Sequence, residues 1–234
     1  MNSIRTAFLE RALRNLCCVA ALTAASSSFG TVVWELNPTA ANAPVGSSTF
    51  TVPSQGSPTY FITASGYDNA GGTGIPHSLF FKNAGGDEIG LGLTNTLDNE
   101  LQISGSTASN YIQLDLTSIL LQGFTNGKIK VGSVQSGESF SLWGSNTQGS
   151  LGTQLGGIFT SAFDDQFVAV PEFGAFKFIS VTAASKDVLP VAFEADIAAV
   201  PEANALGPIV GLLVSILAVH ILHRRKSIAA ECAL

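Results

Sequence analysis

Apolar and polar residues alternate with a period of two over several short stretches between residues 31 and 200. This alternation places apolar side chains on one face of an extended segment, as in a half-buried antiparallel strand. No stretch of 12 residues in this region keeps a helical period. The clearest runs are 112–116, 128–131, 139–142 and 191–197, and further predicted strands cover 32–36, 60–64, 78–82, 89–93, 100–104, 166–170 and 176–182.

Turn residues separate these runs and predict how they connect. Ser136-Gly137 and Ser65-Gly66 indicate turns, and Asn126-Gly127 is the strongest hairpin signal, linking the strand before Phe124 to the one from Lys128. Strands spaced about ten residues apart are typical of sandwiches and related folds. The pattern therefore predicts an all-β fold, an antiparallel β-sandwich that is jelly-roll-like.

The N-terminal 30 residues have a different pattern. Arg5, Arg11 and Arg14 form a positive region, residues 16–25 an apolar core, and residues 26–30 a run of small residues. This order is that of a secretory signal peptide, and its core is too short to span a bilayer. We therefore predict a signal peptide over residues 1–30 and a β-sandwich ectodomain over residues 31–199.

The C-terminal segment has three parts in a fixed order. The first is a short motif, Val200, Pro201, Glu202 and Ala203. The second is an uncharged run of 17 residues, 206–222, about 26 Å long as a helix. The third is a basic cluster of Arg224, Arg225 and Lys226. Cations after an apolar run stay cytoplasmic, so we predict a single transmembrane helix over 206–222, a cytoplasmic tail over 227–234, and a body outside the cytoplasm.

This arrangement resembles the PEP-CTERM sorting signal, whose usual core is Val-Pro-Glu-Pro; here Ala203 replaces the second proline. The resemblance covers residues 200–226 and comes from the three-part order, since Val170-Pro171-Glu172 repeats the tripeptide with no helix after it. The glycine-rich run 85–93, followed by Asp98-Asn99-Glu100, is similar to bodies found ahead of such tails. The resemblance implies cleavage near Pro201-Glu202 by exosortase, a membrane-embedded protease or transpeptidase, in a Gram-negative bacterium that makes exopolysaccharide or biofilm matrix.

Charge and cysteine content narrow the function of the body. Residues 31–200 contain five Lys, no Arg and fourteen acidic residues, a net charge of −9. Phosphate contacts need clustered Lys and Arg, so nucleic acid is not an expected partner. The cysteines, Cys17, Cys18 and Cys232, all lie outside the body, which therefore has neither disulfide nor thiolate chemistry. Only 12% of the chain is charged, about half the usual fraction, which suits a β-rich extracellular module.

Four acidic residues form the one candidate metal site: Asp87, Glu88, Asp98 and Glu100. With glycine carbonyls and Asn99 they offer the roughly six to eight hard oxygens that Ca²⁺ prefers. The alternative is that they are solvated turn residues on an acidic surface. A second acidic pair, Asp164-Asp165, indicates a turn.

Catalytic chemistry finds little support in the sequence. His77 is the only histidine in the body, and no Gly-x-Ser-x-Gly elbow accompanies it, so His77 is predicted to be a loop or strand-edge residue. Two carboxylates are enough for a glycosidase, but nothing singles out one pair among fourteen acids. Tyr111 and Trp143 offer rings for stacking on sugars, although such residues more often lie in a core or across strands.

These features predict a non-catalytic, exported surface or extracellular-matrix protein that is anchored in the inner membrane and then processed. Its expected partners are exosortase, the inner membrane as a transient anchor, and exopolysaccharide. The alternative is a carbohydrate-binding, lectin-like module, with or without calcium, and the third possibility is a secreted hydrolase. The sequence does not identify the ligand of the body.

Overall fold

The computed structural model describes residues 29–56, 59–68, 73–86, 88–104, 107–108 and 110–198, together with residues 213, 215, 216 and 220. The chain divides into two compact units, one formed by Phe29–Ala198 and the other by Met1–Ser28 with Ala199–Leu234. Residues 213, 215, 216 and 220 are helical. None of the helices within the described residues combines the length and apolarity required to traverse a bilayer. Residues 1–28 of the predicted signal peptide, the motif 200–203, the basic cluster 224–226 and Asp87 lie outside the described residues.

The body is all-β, as predicted, and its strands pair antiparallel in three sheets within the described residues. The six-stranded sheet contains β1 (Phe29–Glu35), β8 (Leu101–Ser104), β9 (Thr107–Ala108), β11 (Thr125–Gly132), β14 (Gln166–Ala169) and β16 (Asp187–Ala198). The seven-stranded sheet contains β3 (Thr49–Pro53), β4 (Phe61–Asp68), β5 (Ile75–Pro76), β10 (Asn110–Asp115), β12 (Ser139–Ser145), β13 (Thr153–Thr160) and β15 (Phe178–Ser185). The three-stranded sheet contains β2 (Ala43–Pro44), β6 (Leu79–Asn83) and β7 (Ile89–Leu93). One short helix, α1, covers Thr117–Leu121.

Apolar side chains from the two large sheets meet in one continuous core. Ile129 and Phe193 come from the six-stranded sheet, Ile112 and Val181 come from the seven-stranded sheet, and all four are fully buried. Each large side chain buried in this way contributes about 1.5–3 kcal/mol. Because each strand turns alternate side chains toward this core, the two large sheets form the predicted sandwich.

Trp34 anchors the six-stranded sheet. Its ring is fully buried and lies 5.5 Å from that of Phe124 and 5.8 Å from that of Phe193, between ring centroids. Its indole Nε1 donates a hydrogen bond of 3.2 Å to the carbonyl of Tyr60, so its polar atom is satisfied inside the core.

The first and last strands of the body pair with each other. β1 lies antiparallel to β16, with Phe29 opposite Ala198 and Glu35 opposite Ala192. On its other side β16 pairs with β11. The two ends of the body therefore lie side by side in one sheet.

Each of the eleven strands predicted from alternation overlaps an observed strand. The prediction missed β13 and the short strands β2, β3, β5 and β9. β13 forms the edge of the seven-stranded sheet and exposes most of its residues. Because an edge strand buries few side chains, it does not need the alternation that reveals the others.

Two of the three predicted turns are wrong. Asn126-Gly127 lies inside β11, where a register shift between Thr125 and Lys128 marks a bulge opposite β16 and Asn126 has a positive φ of 53°. The connection from β10 to β11 contains α1 instead. Ser65-Gly66 lies inside β4, where a side chain on Gly66 would come within 2.5 Å of the His77 carbonyl. Close packing of neighbouring chain, and not a turn, explains this glycine.

The turn predicted at Ser136-Gly137 is confirmed. Gly137 has a φ of +86°, and the amide of Glu138 donates a 2.9 Å hydrogen bond to the carbonyl of Gln135. A positive φ favours glycine at this place. The turn connects β11 to β12, so the chain crosses here from one large sheet to the other.

Candidate functional site

Three of the four acidic residues predicted as a metal site come together, and they do so around Lys82. Lys82 lies in β6, Glu88 precedes β7, Asp98 lies in a 3-10 turn over Leu97–Asn99, and Glu100 follows that turn. Asp98 has a positive φ of 59°, which bends the chain so that both Asp98 and Glu100 face Lys82. We call Lys82, Glu88, Asp98 and Glu100 the Lys82 cluster.

The ammonium of Lys82 lies among the three carboxylates. Its Nζ is 3.0 Å from Oε2 of Glu88 and 3.2 Å from Oδ2 of Asp98, and it donates a hydrogen bond to Oε1 of Glu100. The side chains of Lys82 and Glu100 are 4% and 2% exposed, whereas that of Asp98 is 65% exposed. The Lys82–Glu100 pair is therefore enclosed by protein, and Asp98 faces water.

Glu100 has one satisfied and one unsatisfied oxygen. Its Oε1 accepts hydrogen bonds from Lys82 and, at 3.2 Å, from the hydroxyl of Ser133. Among the described residues its Oε2 is buried and has no hydrogen-bond partner. Burial of a carboxylate oxygen without a donor is costly, and the alternative prediction of a solvated turn residue is wrong for Glu100, whose side chain is buried.

One ammonium group faces three carboxyl groups in the cluster, and this environment shifts several pKa values. Burial alone lowers the pKa of Lys82, but hydrogen bonds to Glu100, Glu88 and Asp98 outweigh burial and raise it, so the side chain is an ammonium. Burial raises the pKa of Glu100 above its ordinary value, against the hydrogen bonds from Lys82 and Ser133. Burial also raises the pKa of nearby Asp187, and the carboxylates of Glu138 and Asp98 add to the effect.

The donor set of the cluster is that of a cation site, and Lys82 itself supplies a cation. One oxygen each from Glu88, Asp98 and Glu100 lie within 4.8 Å of one another, close enough to bind one ion. A calcium ion at the same point would have to displace the ammonium, because two cations cannot share a position between the same oxygens. As arranged, these residues fit an internal ion cluster and do not fit calcium. The calcium site therefore remains a prediction from the sequence alone.

Sequence reasoning missed Lys82. The sequence shows a lone lysine in the run Leu79–Asn83 with an acid-rich segment after it, but it does not show that this lysine faces inward. A lysine is almost never fully buried unless it is paired. The structure buries Lys82 and thereby reveals its pairing with the acids.

His77 lies between β5 and β6, as the prediction of a loop or strand-edge residue requires. Its Nδ1 is 2.7 Å from Oδ2 of Asp68, and its Nε2 is 2.6 Å from the carbonyl oxygen of Thr94. Each ring nitrogen therefore lies within hydrogen-bonding distance of an oxygen atom. His77 thereby ties the end of β4 to the segment after β7, which is a structural role.

The remaining predicted residues also have structural contacts. Asp164 and Asp165 form the predicted turn, in which Asp164 accepts a 2.9 Å hydrogen bond from the amide of Val134. Tyr111 is fully buried, its hydroxyl donates to the carbonyl of Gly149 at 2.6 Å, and burial raises its pKa to about 12. The indole of half-buried Trp143 donates to the hydroxyl of Thr182 on the neighbouring strand at 3.0 Å. The core and cross-strand interpretation of the two aromatic residues is confirmed.

An open groove lies elsewhere on the body, and sequence reasoning did not find it. It encloses about 780 Å³ where β11 bulges. We call it the bulge groove and define it by its principal lining residues, Leu120, Phe124, Asn126, Gly127, Lys128 and Phe173.

Comparison of the chain with protein-family models, with curated proteins and with solved structures finds no match.

Proposed function

We propose that this chain is an exported surface or extracellular-matrix protein with a non-catalytic β-sandwich body, sorted by its C-terminal tail and processed by exosortase. The observation that carries the proposal is the order of Val200-Pro201-Glu202-Ala203, the uncharged run 206–222 and the cluster Arg224-Arg225-Lys226. Such an order places a cleavable motif before an apolar anchor and keeps the cations on the cytoplasmic side. The inner membrane is then a transient anchor, with the body outside the cytoplasm.

The position of the last residue of the folded body supports the proposal. The compact unit begins at Phe29 and ends at Ala198, so the motif beginning at Val200 follows directly after the last strand. The contacts described for the sandwich involve no cysteine, because the three cysteines lie outside residues 31–200. The jelly-roll connectivity belongs to the same proposal.

The lectin and hydrolase alternatives are not adopted. A calcium-dependent lectin that uses Glu88, Asp98 and Glu100 would require the ammonium of Lys82 to leave the cluster. A hydrolase would require a reactive pair, whereas His77 is held between a carboxylate and a carbonyl.

The test compares two copies of the same tripeptide. In the producing bacterium, replacing Pro201 and Glu202 together by alanine is expected to block processing, so that mass spectrometry finds the full C-terminus on a membrane-bound protein. The matched control replaces Pro171 and Glu172, which form the same tripeptide in the body, and its processing is expected to be unchanged. Deleting residues 200–234 is expected to release unprocessed protein into the medium.

Three results would contradict the proposal. Recovery of the intact polypeptide, with both ends present, from the soluble cytoplasmic fraction would overturn the proposal. Retention at the cell surface after deletion of residues 200–234 would overturn the anchoring role of the tail. Equal loss of processing in the two tripeptide variants would show that the tail motif is not the one that exosortase recognises.

A further inference from the structure

Lys82 and Glu100 are enclosed together in the protein interior. Their side chains are 4% and 2% exposed, and Nζ of Lys82 donates a hydrogen bond to Oε1 of Glu100. Because Oε1 is bonded to Cδ of Glu100, this hydrogen bond places an amine nitrogen next to a carboxyl carbon. Two groups held in this way react as if each were present at a concentration far above any that is reached in solution.

The second oxygen of Glu100 has no hydrogen-bond donor. Among the described residues Oε2 is buried without a partner, whereas Oε1 also accepts a 3.2 Å hydrogen bond from the hydroxyl of Ser133. A buried carboxylate oxygen without a donor is unfavourable, and so are two charges that are removed from water. A reaction that removes Oε2, keeps Oε1 and cancels both charges would relieve all of these costs.

Two further carboxylates are positioned to move protons. Oε2 of Glu88 lies 3.0 Å from Nζ of Lys82, and Oδ2 of Asp98 lies 3.2 Å from it. The side chain of Glu88 is 30% exposed and that of Asp98 is 65% exposed, so Glu88 is the more enclosed of the two. A carboxylate at hydrogen-bonding distance from an ammonium can accept its proton and pass it on.

We infer that Lys82 and Glu100 condense after folding to an amide between Nζ and Cδ, an isopeptide bond. Of the three protons on the ammonium, one stays on the amide nitrogen and two leave with Oε2 as water. Glu88 accepts one of these protons as Nζ attacks Cδ and delivers it to the departing oxygen, so Glu88 ends the reaction unchanged. The atoms and charges balance without an oxidant or a second substrate.

The condensation is slow, because Lys82 must lose a proton before it attacks. Burial opposes the charge of Lys82, but hydrogen bonds to the carboxylates outweigh burial and keep the ammonium as its resting form. Burial raises the pKa of Glu100 and so eases protonation of the oxygen that leaves. The ion pair is therefore the form in which the protein folds, and the linked form accumulates with time.

The isopeptide bond would connect β6 to the segment before β8 and close a loop that contains β7. Residues 31–200 contain no cysteine, so a disulfide cannot provide such a link in the body. A covalent link between distant residues restricts the unfolded chain and thereby stabilises the fold. The inference concerns the body alone and does not depend on how the protein is sorted.

Peptide mapping of the full-length protein tests the inference. The protein is purified in mild detergent, incubated for days, unfolded, and digested with chymotrypsin, which cuts between the two residues, for example after Leu91 and Leu97. We expect a branched peptide that joins the segments containing Lys82 and Glu100 and is lighter than their sum by one water. Its amount is expected to rise during the incubation, and cleavage by trypsin after Lys82 is expected to fall in the same proportion.

The same digest contains a matched control pair. Nζ of Lys128 lies 2.7 Å from Oε1 of Glu194, but the side chain of Lys128 is 41% exposed. Because water reaches this pair, no link between Lys128 and Glu194 is expected.

Two variants test the assigned roles. Glu88→Gln keeps the enclosed pair but removes the proton acceptor, and it is expected to slow formation of the linked peptide at least about tenfold. Lys82→Arg keeps a positive charge but has no amine, and it is expected to give no linked peptide. Thermal unfolding verifies that both variants are folded, and the unsubstituted protein decides the question if one is not.

Absence of the branched peptide from folded, incubated, unsubstituted protein would overturn the inference. Equal linkage of Lys128 to Glu194 would also overturn it, because the link would then form without enclosure. An unchanged rate of linkage in folded Glu88→Gln would overturn the assigned path of the proton.

Discussion

Lys82 and Glu100 form an ion pair that is almost completely enclosed by protein, although 18 residues separate them in the sequence. Removing two charges from water costs several kcal/mol for each ion. The pair offsets this cost through its own attraction and through the hydrogen bonds from Ser133 to Glu100 and from Lys82 to the outer carboxylates. The pair links β6 to the segment that leads into β8, and so joins the three-stranded sheet to the six-stranded one.

Replacing Lys82 by methionine is expected to lower the free energy of unfolding by about 3–5 kcal/mol, because it leaves buried Glu100 without a counter-ion. Urea denaturation measures the change. The matched control is Lys177→Met at an exposed lysine, expected to change stability by less than about 0.5 kcal/mol. The double variant Lys82→Met, Glu100→Leu is expected to recover most of the loss, since no buried charge remains. A loss below about 1 kcal/mol in the single variant would contradict the enclosed ion pair.

Calcium is expected to leave the melting temperature of the unmodified protein unchanged, because the ammonium of Lys82 lies between the carboxylates that would bind the ion. In Lys82→Gln the same carboxylates lack their cation, and added calcium is expected to raise the melting temperature in proportion to ligand binding. Calorimetry with calcium and with EDTA measures both effects. Stabilisation of the unmodified protein by calcium, reversed by EDTA, would instead favour the metal site predicted from the sequence.

The stability of the body is expected to depend on the protonation of Asp187. Burial, with the carboxylates of Glu138 and Asp98, raises the pKa of this residue, so the folded state binds its proton more tightly than the unfolded chain does. Its stabilising contribution is complete below the unfolded pKa, about 3.9, and is lost as the pH rises through the folded value. Asp187→Asn is therefore expected to raise the free energy of unfolding at pH 7 and to change it little near pH 4. Urea denaturation at both pH values measures this.

Asp196, on the same strand as Asp187, has a pKa that is shifted in the opposite direction. Hydrogen bonds from Thr31 and Asn126 lower its pKa, so its contribution is present above the unfolded pKa and is lost as the pH falls through the folded one. Asp196→Asn is expected to lower the free energy of unfolding at pH 7. If both variants changed stability in the same direction at pH 7, the assigned environments of the two carboxyl groups would be wrong.

Gly66 is expected to tolerate no side chain. In Gly66→Ala the new methyl group would lie 2.5 Å from the His77 carbonyl and 2.5 Å from a methyl carbon of Leu93, and overpacking of this kind costs about 1–3 kcal/mol. Gly30, in β1, has no atom within 4 Å of the same position, so Gly30→Ala is the control and is expected to be neutral. Thermal unfolding compares the two, and equal effects would contradict the close approach of β4 to its neighbours.

Alternation of apolar residues was enough to predict the interior strands, because burial on one face imposes a period of two. Alternation failed at β13, which is mostly exposed, and the turn signals gave Gly66 and Gly127 the wrong role. Both glycines are required by contacts from distant parts of the chain, with His77 and Leu93 in one case and Phe173 in the other. A dipeptide signal contains no information on such contacts.

The acidic cluster could be predicted only in part, because one of its members is brought to the others by strand pairing. Glu88, Asp98 and Glu100 are close in sequence, and their proximity in space followed from short connections. Their partner Lys82 was not included because only the pairing of β6 with β7 shows that its side chain points to the same place. The bulge groove depends on Phe173 meeting Gly127, 46 positions earlier in the sequence, and no local pattern predicts that meeting.

The pairing of β1 with β16 also sets the order of events during biosynthesis. Thr31, in the first strand to be made, finds its hydrogen-bond partner Asp196 only after 165 further residues. Closing so long a loop is slow, and the six-stranded sheet cannot be completed while the ribosome is still adding the segment that contains its central strand. The six-stranded sheet of a nascent polypeptide therefore stays incomplete until the ribosome has added β16, the last strand of the body.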